Sequence, residues 1–204
     1  MITIIDYGLG NIQAFLNLYE RLNIPVSVAK TAGDLISATK MILPGVGAFD
    51  YAVRRLNSSG MREMLDDLVL GKRIPILGIC VGMQMLSQSS DEGKLPGLGW
   101  IDGAVKKFNN SALNFNQILP HMGWNTIQPI KSNALLVNLH KNPRFYFLHS
   151  YFFYCHDEND TIATTEYGFY FASAINHKNI YGIQFHPEKS HQSGIQLLKN
   201  FSDL

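Results

Sequence analysis

Cys80 sits in the stretch LGICVGMQ, residues 77–84, with Gly78 two positions before it and Gly82 two positions after. An apolar run, residues 74–77, leads in, and a helix-like run, 83–86, leads out. A cysteine at a strand-to-helix turn between two such glycines has the form of a nucleophile elbow, with Cys in place of Ser. The turn is sharp, and a side chain on either flank would collide with neighbouring backbone. Free N–H groups and the dipole of the following helix favour a thiolate there. The Val81 N–H can also point at a developing oxyanion. The same residues fit a second reading, a buried structural cysteine after a core strand.

A nucleophile needs a base. Among seven histidines, His186 in GIQFHPEKS is the best placed, because it too follows an apolar strand. Pro187 biases His186 toward an extended backbone, so residues 186 and 188 share a face. Glu188 can then accept one ring N–H and leave the other nitrogen for the Cys80 proton. Taken alone, His-Pro-Glu reads as a surface turn; paired with an elbow cysteine on the same sheet edge, it reads as base and orienter. A third turn, LPGVGAF at 43–49, lacks the Gly-Lys-Ser/Thr ending of a phosphate loop. Its backbone N–H groups could face Cys80 and supply a second oxyanion donor. A plain tight turn explains it equally well.

These turns need a scaffold that brings strand ends together. In the first half, β-type runs at 2–5, 25–28, 40–43 and 74–79 alternate with helical ones at 11–22, 34–38, 49–56 and 61–70. That rhythm predicts an α/β fold, a mostly parallel central sheet flanked by helices. Sites in such sheets gather at the carboxyl ends of the strands. From residue 100 to 175 the rhythm changes to short β-type runs at 104–108, 125–130, 145–154, 161–165 and 170–175, which fit added antiparallel strands. A core strand at 180–185 and a helix at 195–201 close the chain. No Pro/Gly/Ser-rich boundary appears, so residues 1–204 are expected to form a single domain.

Composition excludes several classes. The formal net charge is +1 with both signs interspersed, and no basic block is available to neutralise phosphates, which argues against nucleic acid as a partner. Two cysteines, Cys80 and Cys155, offer neither metal spacing nor a disulfide framework. Cys155 ends an apolar strand and reads as a buried, inert thiol. The start MITIIDYG has no positive leader, and the aromatic run 145–154 is too short to span a membrane. A reducing, cytoplasmic setting is the simplest expectation, with no metal and no cofactor. His121 and His149 lack a nearby carboxylate or cysteine at ligand spacing, so packing or interface roles are preferred. Met122 and Trp124 look like core residues by composition.

Together, PGVGAF, LGICVGMQML and GIQFHPEKS resemble the oxyanion turn, elbow and His-x-Glu motif of the class I (triad-type) glutamine amidotransferases. IIDYGLGNI, LPHMGWN, FYFLHSY and LLKNF extend the similarity, from end to end, to the glutaminase subunits of imidazole glycerol phosphate synthases. The resemblance implies L-glutamine as substrate: Cys80 attacks the side-chain amide, His186 shuttles the proton, and Glu188 orients His186. It implies backbone donors at Val46, Gly47 and Val81. It implies glutamine contacts at Gly47, Gln84, Ser150 and Tyr151. It also implies a heterodimer with a (β/α)8-barrel synthase that receives the ammonia. Asn11, His121, Met122, Trp124, Asn125, Tyr146 and Lys189 match positions near that interface. Low glutaminase activity until the partner holds its ligand is a further implication.

Some positions depart from the family pattern. LSQSSDEG, residues 86–93, leaves open whether Gln88, Asp91 or neither recognises the glutamine α-amino group. Ala14 stands where Ser is common, and Trp100 where an aliphatic residue is frequent. Such drift resembles a paralogous branch that supplies ammonia to a sugar amidotransferase in surface-polysaccharide synthesis.

Overall fold

Short β-branched runs and amphipathic helices alternate as their periodicity requires. The computed structural model describes residues 1–109 and 118–204. Strands β1 (Ile2–Ile5), β2 (Val26–Ala29), β3 (Lys40–Gly45), β4 (Ile76–Cys80) and β13 (Ile180–Ile183) lie side by side in the order β2-β1-β3-β4-β13, all parallel. β1, β3 and β4 are almost wholly buried, which is why they read as continuous apolar runs rather than alternating ones.

The sheet continues antiparallel through β12 (Phe169–His177), β10 (Tyr151–Cys155) and β6 (Gly103–Lys107). β5 (Ser89–Ser90) pairs with β6, while β11 (Thr161–Tyr167) and β8 (Gln128–Pro129) branch from β12. A separate two-stranded ribbon joins β7 (His121–Thr126) to β9 (Arg144–His149).

The helices are α1 (Ile12–Arg21), α2 (Phe49–Ser58), α3 (Arg62–Asp66), α4 (Val81–Gln84) and α5 (His191–Asp203). α2 buries Phe49, Ala52, Val53 and Leu56. α5 buries Gly194, Leu197, Leu198 and Phe201, at the same 0, 3, 4, 7 spacing. Each buried Leu or Phe contributes roughly 1.5–3 kcal/mol, and these side chains join a core running from Ile2 to Phe201. Tyr19 of α1 donates its hydroxyl to the Leu198 carbonyl at 3.2 Å, which locks α1 to α5.

Several local expectations are corrected. The run 145–154 is two strands, not one: β9 belongs to the ribbon, β10 to the main sheet, and the chain breaks direction at Ser150. The helix expected at 61–70 ends at Asp66 and relaxes into a π turn, Asp67–Gly71. The stretch 34–38 holds only a 3-10 turn, Gly33–Leu35, because the Asp34 carboxylate takes the N–H groups of Lys30 and Thr31. Trp100 is buried and donates Nε1–H to Asp66 Oδ1 at 2.6 Å. Met122 and Trp124, apolar enough for a core, are exposed on the ribbon.

Candidate active site

Parallel registry brings three strand ends to one edge. Gly45 pairs with Cys80, and Ile183 pairs with Ile79. The turn after β3, the elbow after β4 and the segment after β13 therefore emerge side by side. Cys80 is the last residue of β4 and is buried, with φ +56° and ψ −115°. A side chain at such angles costs roughly 1–3 kcal/mol, so the surroundings must impose it. They do so through the two glycines. A Cβ on Gly82 would fall onto the Leu43 carbonyl, and one on Gly78 would lie 2.7 Å from the Gly82 carbonyl oxygen. The following helix, α4, spans four residues, so the expectation of a helix dipole is corrected: a single turn sums few peptide dipoles. The local N–H groups at its start remain.

His186 follows β13 and takes an extended conformation, φ −101° and ψ 96°. Its N–H donates to the Tyr146 carbonyl at 2.8 Å. Its own carbonyl accepts from Ser190 Oγ at 2.5 Å, and that hydroxyl in turn accepts from Tyr146 N–H at 3.0 Å. Ser190 thus pins the histidine to β9. The ring donates from Nδ1 to Glu188 Oε1 at 3.0 Å, with side chains only 6 % and 3 % exposed. Burial by itself would lower the His186 pKa; the Cys80 sulfur and the Glu188 carboxylate facing the ring override it and raise the value from 6.5 to about 10. The imidazole therefore holds a proton at neutral pH beside a buried sulfur, which suits it to donate to a leaving amine.

A cavity of about 360 Å³ opens on Cys80 and His186, at the small end of the range for ligand sites. Its rim carries Val46 and Gly47 from one side, Val81 and Gln84 from the elbow, and Ser150 and Tyr151 from the break between β9 and β10. Gln84 donates to the Tyr151 carbonyl and to Gln184 Oε1, both at 3.1 Å, and Gln184 donates on to Cys80 Sγ at 3.8 Å.

The sequence matches the family Glutamine amidotransferase class-I over residues 3–203. The chain belongs to the class-I glutamine amidotransferases. Similar proteins include imidazole glycerol phosphate synthase subunit HisH from Bdellovibrio bacteriovorus, 58% identical over 100% of both chains. The protein of the same name from Leptospira interrogans is 53% identical, again over 100% of both. A crystal structure of a glutamine amidotransferase from Thermotoga maritima shares the fold with a TM-score of 0.64 at 18% identity, covering 99% of this chain and 82% of that one. A second solved structure, also a glutamine amidotransferase, has a TM-score of 0.76 at 16% identity, covering 99% and 97%.

In this amidotransferase, every residue expected at the nucleophile, base, oxyanion turn and substrate wall borders the one cavity or the His186 ring. The acid left open in the sequence falls differently. Asp91 is tied to Lys106 at 3.3 Å and to Lys107 N–H, and Gln88 is exposed. Glu92 lines the cavity instead, while its Oε2 accepts from Phe49 N–H at the start of α2. Gln184 was also missed. Its signal was available: a glutamine inside an apolar strand, two residues before His186 and so on the same face.

Of the residues expected at a partner surface, Asn11, Met122, Trp124 and Lys189 are exposed, and Tyr146 and Asn125 half-buried. Trp124 stacks flat on His191, and Lys189 Nζ lies 5.6 Å above the Tyr146 ring. His121 is a correction. It is 3 % exposed, stacked on Phe147 and Tyr167, and so has no surface to offer. Burial lowers the pKa of His121 to about 4; burial, aided by the neighbouring His121, lowers that of His149 to about 3. Cys155 is buried, and its thiol is pushed up to about 11, chiefly by that burial. Among the described residues no helix is long and apolar enough to cross a membrane.

Proposed function

We propose that this amidotransferase is the glutaminase subunit of an imidazole glycerol phosphate synthase and works in the cytoplasm as one domain spanning 1–204. The observation that carries the reading is full-length identity of 52–58% to three proteins named as that subunit. L-Glutamine enters the cavity with its side-chain amide over Cys80. Glu92 is the carboxylate available to the α-ammonium group, and the Ser150–Tyr151 backbone and Gln84 hold the rest.

The Cys80 thiolate adds to the amide carbon, and the N–H groups of Val81 and the Val46–Gly47 turn stabilise the oxyanion. His186 gives its proton to the departing nitrogen, ammonia leaves, and a glutamyl thioester remains. Water, deprotonated by His186, then releases glutamate and regenerates the thiolate. Glu188 keeps the His186 ring oriented throughout, as imidazolium and as neutral imidazole. Gly47, at φ +84°, sets the direction of its peptide, since that region favours glycine. Ammonia passes to a (β/α)8-barrel partner docked on the face carrying Asn11, Met122, Trp124, Asn125, Tyr146 and Lys189.

A second acceptor, a sugar amidotransferase, needs the same glutaminase chemistry. It is raised by the departures at Ala14 and Trp100; the 43% identical Pseudomonas aeruginosa relative, a numbered copy, is itself named imidazole glycerol phosphate synthase subunit HisH 2. Ammonia release from glutamine, measured alone and with each candidate synthase, separates the two. Cys80→Ala should abolish release and leave complex formation intact. Residual hydrolysis by that variant refutes the mechanism, and high activity indifferent to any partner refutes the coupled-subunit reading.

A further inference from the structure

The cavity wall facing the elbow is held by hydrogen bonds that admit one arrangement of protons. His149 Nδ1 lies 2.8 Å from the Tyr151 carbonyl oxygen, which can only accept, so Nδ1 carries the hydrogen. In a ring that burial keeps neutral, Nε2 is then an acceptor. His121 Nδ1, 3.0 Å away, must donate to it. That leaves His121 Nε2 to accept from the Asn125 amide at 3.2 Å. The orientation of that amide is itself settled: Thr126 N–H donates to Asn125 Oδ1 at 2.7 Å, and Nδ2 also donates to the Glu166 carbonyl at 3.0 Å. Every donor from Asn125 to Tyr151 meets an acceptor.

The rings cannot readily turn over to exchange roles. His121 is stacked between Phe147, at 4.7 Å, and Tyr167, at 4.0 Å. His149 packs against Phe108 at 5.4 Å and Phe171 at 5.2 Å. The two histidines are direct partners across the β7–β9 ribbon. The His149–Tyr151 bond then spans the break at Ser150, where the chain leaves the ribbon for the main sheet. The same Tyr151 carbonyl accepts from Gln84 of the elbow helix. One oxygen therefore ties together ribbon, elbow and main sheet.

We propose that His121 and His149 are positioning residues for the substrate, a proton-ordered pair that sets the Ser150–Tyr151 backbone against the elbow. The inference rests on reading this cavity as the glutamine site. His149 also borders the cavity; in this role both rings act through the Tyr151 peptide.

The test uses the full chain with its candidate barrel synthase. KM and kcat for ammonia release from L-glutamine are measured, together with the rate of Cys80 alkylation by iodoacetamide. His121→Phe keeps a ring in the stack but cannot donate, so His149 Nε2 is left unmatched. KM should rise about tenfold, the effect of one buried group losing its partner, while kcat and alkylation stay within about twofold. His121→Asn, whose amide nitrogen reaches as Nδ1 does, should restore KM. An unmoved KM, a parallel loss of kcat and alkylation, or an Asn variant as poor as the Phe variant overturns the proposal. If His121→Phe does not fold, Asn125→Leu takes its place. It strips the donor to His121 Nε2 while leaving both rings in place, should also raise KM at saturating synthase, and overturns the proposal if KM is unmoved or recovers as more synthase is added. If the unaltered chain releases no ammonia with either synthase, the glutaminase reading fails and this one with it; failure of the positioning pair alone leaves parent activity intact.

Discussion

Glu188→Gln is the most discriminating single change. The His186–Glu188 pair is buried, 3.0 Å apart, and glutamine keeps an oxygen for Nδ1–H while removing the charge. The rise of the His186 pKa from 6.5 to about 10 corresponds to roughly 5 kcal/mol of preference for the protonated ring. Cys80 and Glu188 supply that preference against the opposing effect of burial. Because burial opposes them, the two together supply more than this net amount; an even division makes loss of the Glu188 charge worth at least about 2–3 kcal/mol and at least about 2 pH units.

The assay is kcat/KM for ammonia release across the alkaline range, with partner present and folding checked by thermal melt. The alkaline limb reports loss of the proton from the Cys80–His186 pair as a unit. It should lie near pH 10 in the parent and near pH 8 or below in the variant, about 2 units or more lower. A limb that stays in place while activity merely scales down would mean that Glu188 orients the ring without holding its charge. The carboxylate would then not be a source of the raised histidine pKa.

Other outcomes follow from the same geometry. Gly82→Ala drives a Cβ into the Leu43 carbonyl and should cost about 3 kcal/mol or more by denaturant titration, unlike substitution at Gly33, where a Cβ meets only Thr31 Oγ1 at 3.7 Å. Trp124→Ala, removing an exposed ring stacked on His191, should weaken synthase binding by calorimetry at least tenfold, about the loss of one aromatic anchor, and leave Cys80 alkylation unchanged. Because His121 and His149 have folded-state pKa values near 4 and 3, the unfolded chain binds more protons once pH drops below 6.5. Stability should fall from there toward pH 3, by roughly 3 kcal/mol for His121 and between about 4 and 5 kcal/mol for His149, and His121→Phe should flatten part of that melt-versus-pH slope. His186 behaves oppositely: its contribution is complete below 6.5 and is lost as pH rises toward about 10.

The parallel half of the sheet was legible because buried strands are short apolar runs punctuated by glycine and proline. Cys80, His186 and the 45–47 turn each stand directly after such a run, so strand-end logic singles out all three, and the sheet registry brings them to one edge. What escaped notice lacked a local mark. Ser150 is neither Gly nor Pro, so the run 145–154 looked continuous although its halves belong to different sheets. Glu92 reaches the cavity from a loop, and only tertiary packing decides between it and Asp91 one residue away. His121 carries a polar label, yet it is stacked between aromatic rings because its partner across the ribbon satisfies its nitrogen. Met122 and Trp124 show the reverse: composition placed them inside, and the ribbon's one free face placed them out.

The backbone at Cys80 has a consequence for reading other sequences. Its positive φ is a conformation that glycine alone adopts freely. The chemistry proposed for the sulfur gives a reason for a non-glycine residue at this point; the elbow is already surrounded by glycines for steric reasons. A lineage that abandoned the chemistry would have nothing to hold a side chain here, and drift toward glycine would relax the turn. A descendant with Gly-x-Gly-x-Gly in place of Gly78, Cys80 and Gly82 would be a fossil of this enzyme, recognisable as such before any assay.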